Sequence, residues 1–444
     1  MRKSRGSRRT LILVCIGGLG ALLAQAQDIS LSAQQQINAI TAAKANFTSA
    51  QQKIGSDLVF GAMVARNDLA TASFSSTIPA PPTDASGGVV IDISGNVTTS
   101  LLNAISSGGG TVLDQSPQSN LVHASLPLNA IEALAAHPDV FSIQSAPGAQ
   151  VNGPVAPLRK PARRRSGRES ITSRTGVSLA GSLTTQGWVT HSANLVVNNQ
   201  GINGNGVTVG VLSDSASAAR IAALVSTGDL PANVSVLPGQ AGSGSDEGTA
   251  MMEIVHDMAP GANLIFATAF NGVASFAANI IALQQAGCKI IVDDVTYFNE
   301  GAFEDGPIAR AINQVTAAGA TYFSSAANSG NLSHGTSGTW EGDFLGNGPV
   351  GSPIAESGTV HNFGTVGSPQ NFDVLTVPSS FISLKWSDAL GGSSNDYDLF
   401  ILNSTGTAVK GFSAARQTGT QEPHMMHSWV KRAMAGEIIS VTLA

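Results

Sequence analysis

The chain has 444 residues, 42% of them hydrophobic, with 49 glycines and a mean hydropathy of +0.14. That is length for two or three domains and enough apolar surface for a large core, which excludes a disordered chain. Only 12% of residues are charged, and from residue 171 onward nine Lys or Arg face 20 Asp or Glu, so nucleic acid is not the expected partner.

Residues 1–26 read as an export signal. Arg2, Lys3, Arg5, Arg8 and Arg9 form a basic head, 11–23 is apolar, and Ala24-Gln25-Ala26 is a small-x-small cleavage site. The apolar run is too short to span a bilayer. The expected product is secreted or periplasmic, with no membrane contact after signal cleavage. Its one remaining cysteine, Cys288, cannot form an intrachain disulfide and reads as a small buried apolar residue.

Residues 27–87 are polar, with a helix expected over 32–50 and a proline-rich end at 79–83. Over 88–145 the expected order is strand 89–93, helix 98–105 with Asn96 as a candidate cap, strands 111–113 and 121–126, helix 128–136 and strand 140–143. That is a ferredoxin-like α+β plan. Residues 146–185 form a linker with a basic run, Arg159 to Arg165.

Across 186–359, strands at 207–212, 234–237, 264–267, 290–292 and 322–325 alternate with helices at 249–258, 273–286 and 308–318. Short apolar strands between amphipathic helices predict a parallel α/β sheet covered on both faces. Helical periodicity is lost in 360–444. Strands at 374–376, 381–386, 397–402 and 438–441 predict an antiparallel β-sandwich, inserted or accessory.

In an open parallel sheet, functional groups gather beyond the carboxyl ends of the strands. Asp214, the Asp293-Asp294 pair and Asn328 each follow such a strand, and Glu247 opens a helix whose dipole favours its charge. These residues carry a resemblance. The stretch from Gly204 to Asp214 resembles the first catalytic block of the subtilases, with Asp214 at the catalytic aspartate. Glu247-Gly248-Thr249-Ala250 is similar to the second block, His-Gly-Thr-His, and Met258-Ala-Pro-Gly-Ala262 to the segment after it. Ser325-Ala-Ala-Asn328 resembles the oxyanion block, with Ala327 where glycine is usual. The resemblance covers about residues 190–335. It implies a subtilisin-like serine endopeptidase acting on protein or peptide substrates, with 88–145 as its propeptide and with catalytic Asp214, Glu247 and Asn328.

Two departures qualify it. Glutamate replaces the histidine base, as in the related sedolisins. Those enzymes add an aspartate four residues later on the same helix face, where this chain has Met251. Asp214 is then the expected partner of Glu247, the two sharing a proton and shifting activity to acidic pH. Glu247 as a plain helix-end charge is the other reading. Second, the Gly-Thr-Ser-x-x-x-Pro nucleophile block is not found. Gly335-Thr336-Ser337 comes only nine residues after Asn328 and continues Gly-Thr-Trp. The expectation is that the block lies beyond Ala444. The competing reading is an inactive pseudo-peptidase that serves as a binding or scaffold protein.

Other candidates carry less chemistry. His256 packs or caps. Asp293 and Asp294 line the cleft or cap a strand. Asp396 and Asp398 are possible calcium ligands through oxygen, and no other cofactor is expected. Gly242-Ser-Gly244 lacks the Lys-Ser/Thr that would make it a phosphate loop.

Overall fold

The computed structural model describes residues 10–15, 29–69, 72–78, 81, 83–146, 148–151, 181–328, 330–334, 337–346, 358–365, 367–375, 379, 381–428 and 437–443. The expected cleavage site at 24–26 and the basic run at 159–165 lie outside these residues. The chain divides into two units: Met1–Pro147 with Phe298–Gly306 and Ser329–Ala444, and Gly148–Tyr297 with Pro307–Asn328.

The second unit is a five-stranded parallel sheet in the order Thr321–Ser324, Ile290–Asp293, Thr208–Ser213, Asn263–Thr268, Ser235–Val236. The strand Thr208–Ser213 is apolar almost throughout because it is covered on both faces. Val209 and Val211 point into a core with Leu224, Met252, Leu264 and Phe266. From Gly210, between them, a side chain would meet Leu283 and Cys288 on the other face at 3.1 and 3.2 Å. The helices Ala218–Thr227 and Glu247–Met258 serve the first face, and Val273–Gln285 the second, with Pro307–Ala317 packed on it.

Strand order sets the site. The chain runs outward from Thr208–Ser213 to one edge, then returns to Ile290–Asp293 on the opposite side. The crevice at such a reversal is where open α/β sheets place ligands. The register sets Asp293 opposite Leu212, so Asp214 and Asp294 leave neighbouring strands just past their carboxyl ends.

The first unit joins the N-terminal segment to the C-terminal strands. Val89–Gly95, Thr111–Ser116, Leu121–Leu126 and Val140–Ser145 form an antiparallel sheet, with helices Thr99–Ser107 and Ile131–Ala135 in the connections. The cap of the first helix is Thr98, whose hydroxyl accepts from Leu101 N–H at 3.2 Å. The expected cap, Asn96, instead turns its amide to Asp139. The helix Ser56–Ala65 is buried around most of its surface, which erases the amphipathic period by which a helix is read.

Two further sheets stand in this unit. One holds Thr339–Asp343, Thr10–Cys15, Phe381–Trp386 and His424–Ser428. The other holds Thr359–Val360, Ile438–Leu443, Tyr397–Leu402 and Val409–Ser413, with Asp373–Val374 also on Ile438–Leu443. Leu384, Trp386, Leu399, Ile401 and Val441 fill the layer they share. The strand Thr10–Cys15 falls within the expected export signal, so cleavage at 24–26 would take an inner strand out of the first of these sheets.

A carboxylate cluster as candidate active site

Asp214 is 2% exposed. Its carboxylate accepts from the backbone N–H of Ser215 and of Ser245, from the Ser245 hydroxyl at 2.6 Å, and from Glu247 N–H at 3.0 Å. Burial pushes its pKa up, but these donors outweigh burial and hold it below the usual carboxylate range. Asp214 therefore takes the role of a cap for the helix Glu247–Met258, a fixed negative charge on the helix's positive end. The residue in the N-cap position, Asp246, sits in the left-handed region at φ 62° and makes no cap hydrogen bond. It accepts instead from Ser217 N–H at 2.7 Å and Ser217 Oγ at 2.8 Å.

Glycines allow the loop and helix to close on this carboxylate. A Cβ on Gly244 would lie 2.4 Å from Asp214 Oδ2, and one on Gly248 would lie 2.2 Å from the Phe266 ring and 2.7 Å from Ser215 O. The Gly242-Ser-Gly244 turn thus wraps an aspartate of its own chain.

Glu247 is partly buried and is hydrogen-bonded through its carboxyl to Asp294. Burial raises its pKa, the Asp294 charge and hydrogen bond raise it further, and the Asp214 charge adds a smaller push. Asp294 is also raised, first by burial, while bonds from Ser213 and Glu247 pull it down and the charges of Asp293 and Asp214 push it up. Both carboxyls are thus held above their ordinary values, burial being the first cause for each. Two carboxyls so placed titrate as a pair, and a proton on one of them relieves the repulsion between their charges.

This corrects the expected pairing. Asp214 is not the group that shares a proton with Glu247, because both of its oxygens are committed to N–H and O–H donors. Its influence on Glu247 is its charge. Asp294 is the partner, and the sequence signal for it was the aspartate doublet at a strand end. Its neighbour Asp293, 3% exposed, accepts from Val295 N–H at 3.1 Å and Ser324 Oγ at 3.0 Å, and so ties two strand ends together.

The remaining candidates separate by position. Met251 packs against the core. His256 stands nine residues along the helix from Glu247, about 13 Å at 1.5 Å per residue, and burial pushes its pKa down. Asn328 is exposed and follows Thr321–Ser324, whose Ser324 lies opposite Asp293, so it leaves the same edge of the sheet as Asp294. Ala327 beside it is left-handed at φ 62°, the backbone geometry that favours glycine. Ser337 belongs to the other unit, and its hydroxyl accepts from Thr339 N–H at 3.2 Å in a local turn. Asp396 and Asp398, also in the first unit, face the Lys44 ammonium at 2.6 and 2.7 Å. No cluster of three or more His, Cys, Asp or Glu suited to a metal occurs among the described residues. Cys288 is 1% exposed, and burial pushes its thiol up to about 11.

No family model and no curated protein matches the chain. Solved structures do. Fervidolysin from Fervidobacterium pennivorans, a keratinolytic enzyme related to subtilisin, is similar over 56% of this chain and 41% of its own, at 17% identity and a TM-score of 0.34. Two structures of the epidermin leader peptide processing serine protease (EpiP) from Staphylococcus aureus, one of them a mutant, are similar over 52% and 53% of this chain and 59% of theirs. Their identities are 12% and 11%, and the TM-score is 0.32 for each. The chain spans less than two thirds of the length of each, and at these TM-scores the likeness carries no argument about what the chain does. No helix among the described residues is long and apolar enough to cross a membrane.

Proposed function

We propose that the chain is an exported serine-type endopeptidase homologue whose histidine base is replaced by the Glu247–Asp294 pair. What supports this reading is the position of that pair: two carboxyls with raised pKa at the reversal of a parallel sheet, beside a buried Asp214 held by four N–H and O–H donors. In peptide-bond hydrolysis the carboxylate of the pair would take the proton of a serine hydroxyl as its oxygen attacks the carbonyl carbon. The same proton would then pass to the departing amine, leaving an acyl-enzyme for water to open. Asn328 would donate its amide N–H to the oxyanion. Asp214 would position the helix that carries Glu247. Residues 88–145 would serve as propeptide, and the substrate would be a protein or peptide chain. A carboxylate base titrates below histidine, so activity should favour acidic pH, with the raised pKa of the pair moving the optimum toward neutral.

The nucleophile block is not within residues 1–444. The test is therefore made on the gene product read through any downstream Gly-Thr-Ser block. That protein should react with a serine-directed phosphonate and hydrolyse a denatured protein substrate, and Glu247→Gln should abolish turnover. Full turnover in Glu247→Gln would overturn the carboxylate-base reading. If no such block follows in any frame, the second reading, an inactive fold presenting a binding cleft, takes its place.

A further inference from the structure

A detachable propeptide should have a core of its own. The first unit is built otherwise. Phe60 and Phe74, from the N-terminal segment, close edge-on around Phe412 of the C-terminal strands, with ring centroids 5.0 and 5.9 Å away. All three are at most 5% exposed and belong to one continuous apolar cluster with Ile91, Ile143, Phe400 and Leu402. Beside them, the Lys44 ammonium reaches Asp396 at 2.6 Å and Asp398 at 2.7 Å, with Lys44 1% exposed and Asp398 fully buried. The buried Ser56 hydroxyl accepts from Ala414 N–H at 2.9 Å.

From this we infer that residues 29–146 are a permanent non-covalent partner of the 358–443 strands. A cut in the intervening chain leaves the two associated. The separated surfaces would expose large aromatic rings on both sides and, on the strand side, two carboxylates that have lost the Lys44 ammonium, with Arg416 left on Asp396 at 3.1 Å. Both conditions are costly in water and are relieved by one occupant, the 29–146 segment. Residue 44 acts as the selective contact: Asp396 keeps Arg416 and the Gln417 N–H, while the buried Asp398 loses the ammonium at 2.7 Å. The inference stands on the first unit alone; with it, the propeptide reading of 88–145 extends to a cut in the chain but not to release of the segment.

The experiment folds the full chain with recognition sites for a specific protease placed within 16–28 and within 152–180. Both are then cut, and the product is chromatographed by size at micromolar concentration. The 29–151 fragment should co-elute with the 181–444 fragment. A Lys44→Glu chain is folded whole, its fold checked by circular dichroism, and then cut in the same way to release a Lys44→Glu fragment. Its association should weaken by roughly 10²-fold or more. An Arg220→Glu variant, on an exposed helix of the second unit, should behave as wild type. Two results would overturn the inference: separation of the wild-type fragments after cutting, or retention of the Lys44→Glu fragment at wild-type strength, which would put the contact elsewhere.

Discussion

Replacing Lys44 by methionine keeps the aliphatic stem and deletes the ammonium that two buried carboxylates face. Asp398 is fully buried, and burial pushes its pKa from 3.8 up to about 6 even though Lys44 pulls it down. The folded value lies above the unfolded one. The folded state therefore holds an extra proton between about pH 4 and pH 6, and stability falls as pH rises through that window. At 1.36 kcal/mol per unit, keeping Asp398 ionised at neutral pH already costs about 3 kcal/mol. Without Lys44 the folded value climbs further and the loss extends to higher pH. Removing one partner of a buried ion pair costs roughly 3–5 kcal/mol. Urea unfolding followed by tryptophan fluorescence suits the measurement, since buried Trp386 lies 5.1 Å from the Tyr397 ring, between Asp396 and Asp398 in sequence. Lys44→Met should lose roughly 3–5 kcal/mol at pH 8 and clearly less at pH 5, where Asp398 is protonated in both proteins. A loss under about 1 kcal/mol at pH 8, or an equal loss at both pH values, would refute the assignment of this pair as a buried, charged contact.

Gly248→Ala should destabilise the second unit by about 1–3 kcal/mol in the same assay, because its new methyl meets the Phe266 ring and Ser215 O. Ala327→Gly should stabilise that unit by about 1 kcal/mol by relieving a left-handed alanine. Asp214→Asn should lower the melting temperature at pH 7; because the folded pKa is depressed, the wild-type advantage should disappear only as pH falls below the ordinary carboxylate range. In a Cys15→Ser chain, Cys288 should ignore a thiol reagent until the protein is unfolded, and rapid labelling of the native form would contradict its burial.

Much of the α/β unit was legible because its signals are local. Val209 to Leu212 is an apolar run, Glu247 follows a turn rich in glycine, and the strands at 290–293 and 321–324 are bounded by polar residues. Helix Ser56–Ala65 was not legible, since burial on nearly all sides removes its period. Helix Ala218–Thr227 had a signal, the Ser217 hydroxyl that accepts from Arg220 N–H, but its apolar face is short. Asp214 and Glu247 could be picked out as candidate site residues from a strand end, a helix start and the resemblance to the subtilase blocks. The choice of Asp294 over Asp214 as partner could not, because it depends on which strands are neighbours and on how many donors Asp214 collects. The same holds for Lys44, whose partners lie more than 350 residues away in the chain.

The account turns on Glu247 and Asp294 titrating as a pair. The most direct test is a carbon-13 NMR titration of selectively labelled glutamate, with the Glu247 resonance assigned by its loss in Glu247→Gln. Its midpoint should lie above the ordinary glutamate value of 4.5 and should drop toward that value in Asp294→Asn. A midpoint at the ordinary value that does not respond to Asp294→Asn would contradict the account.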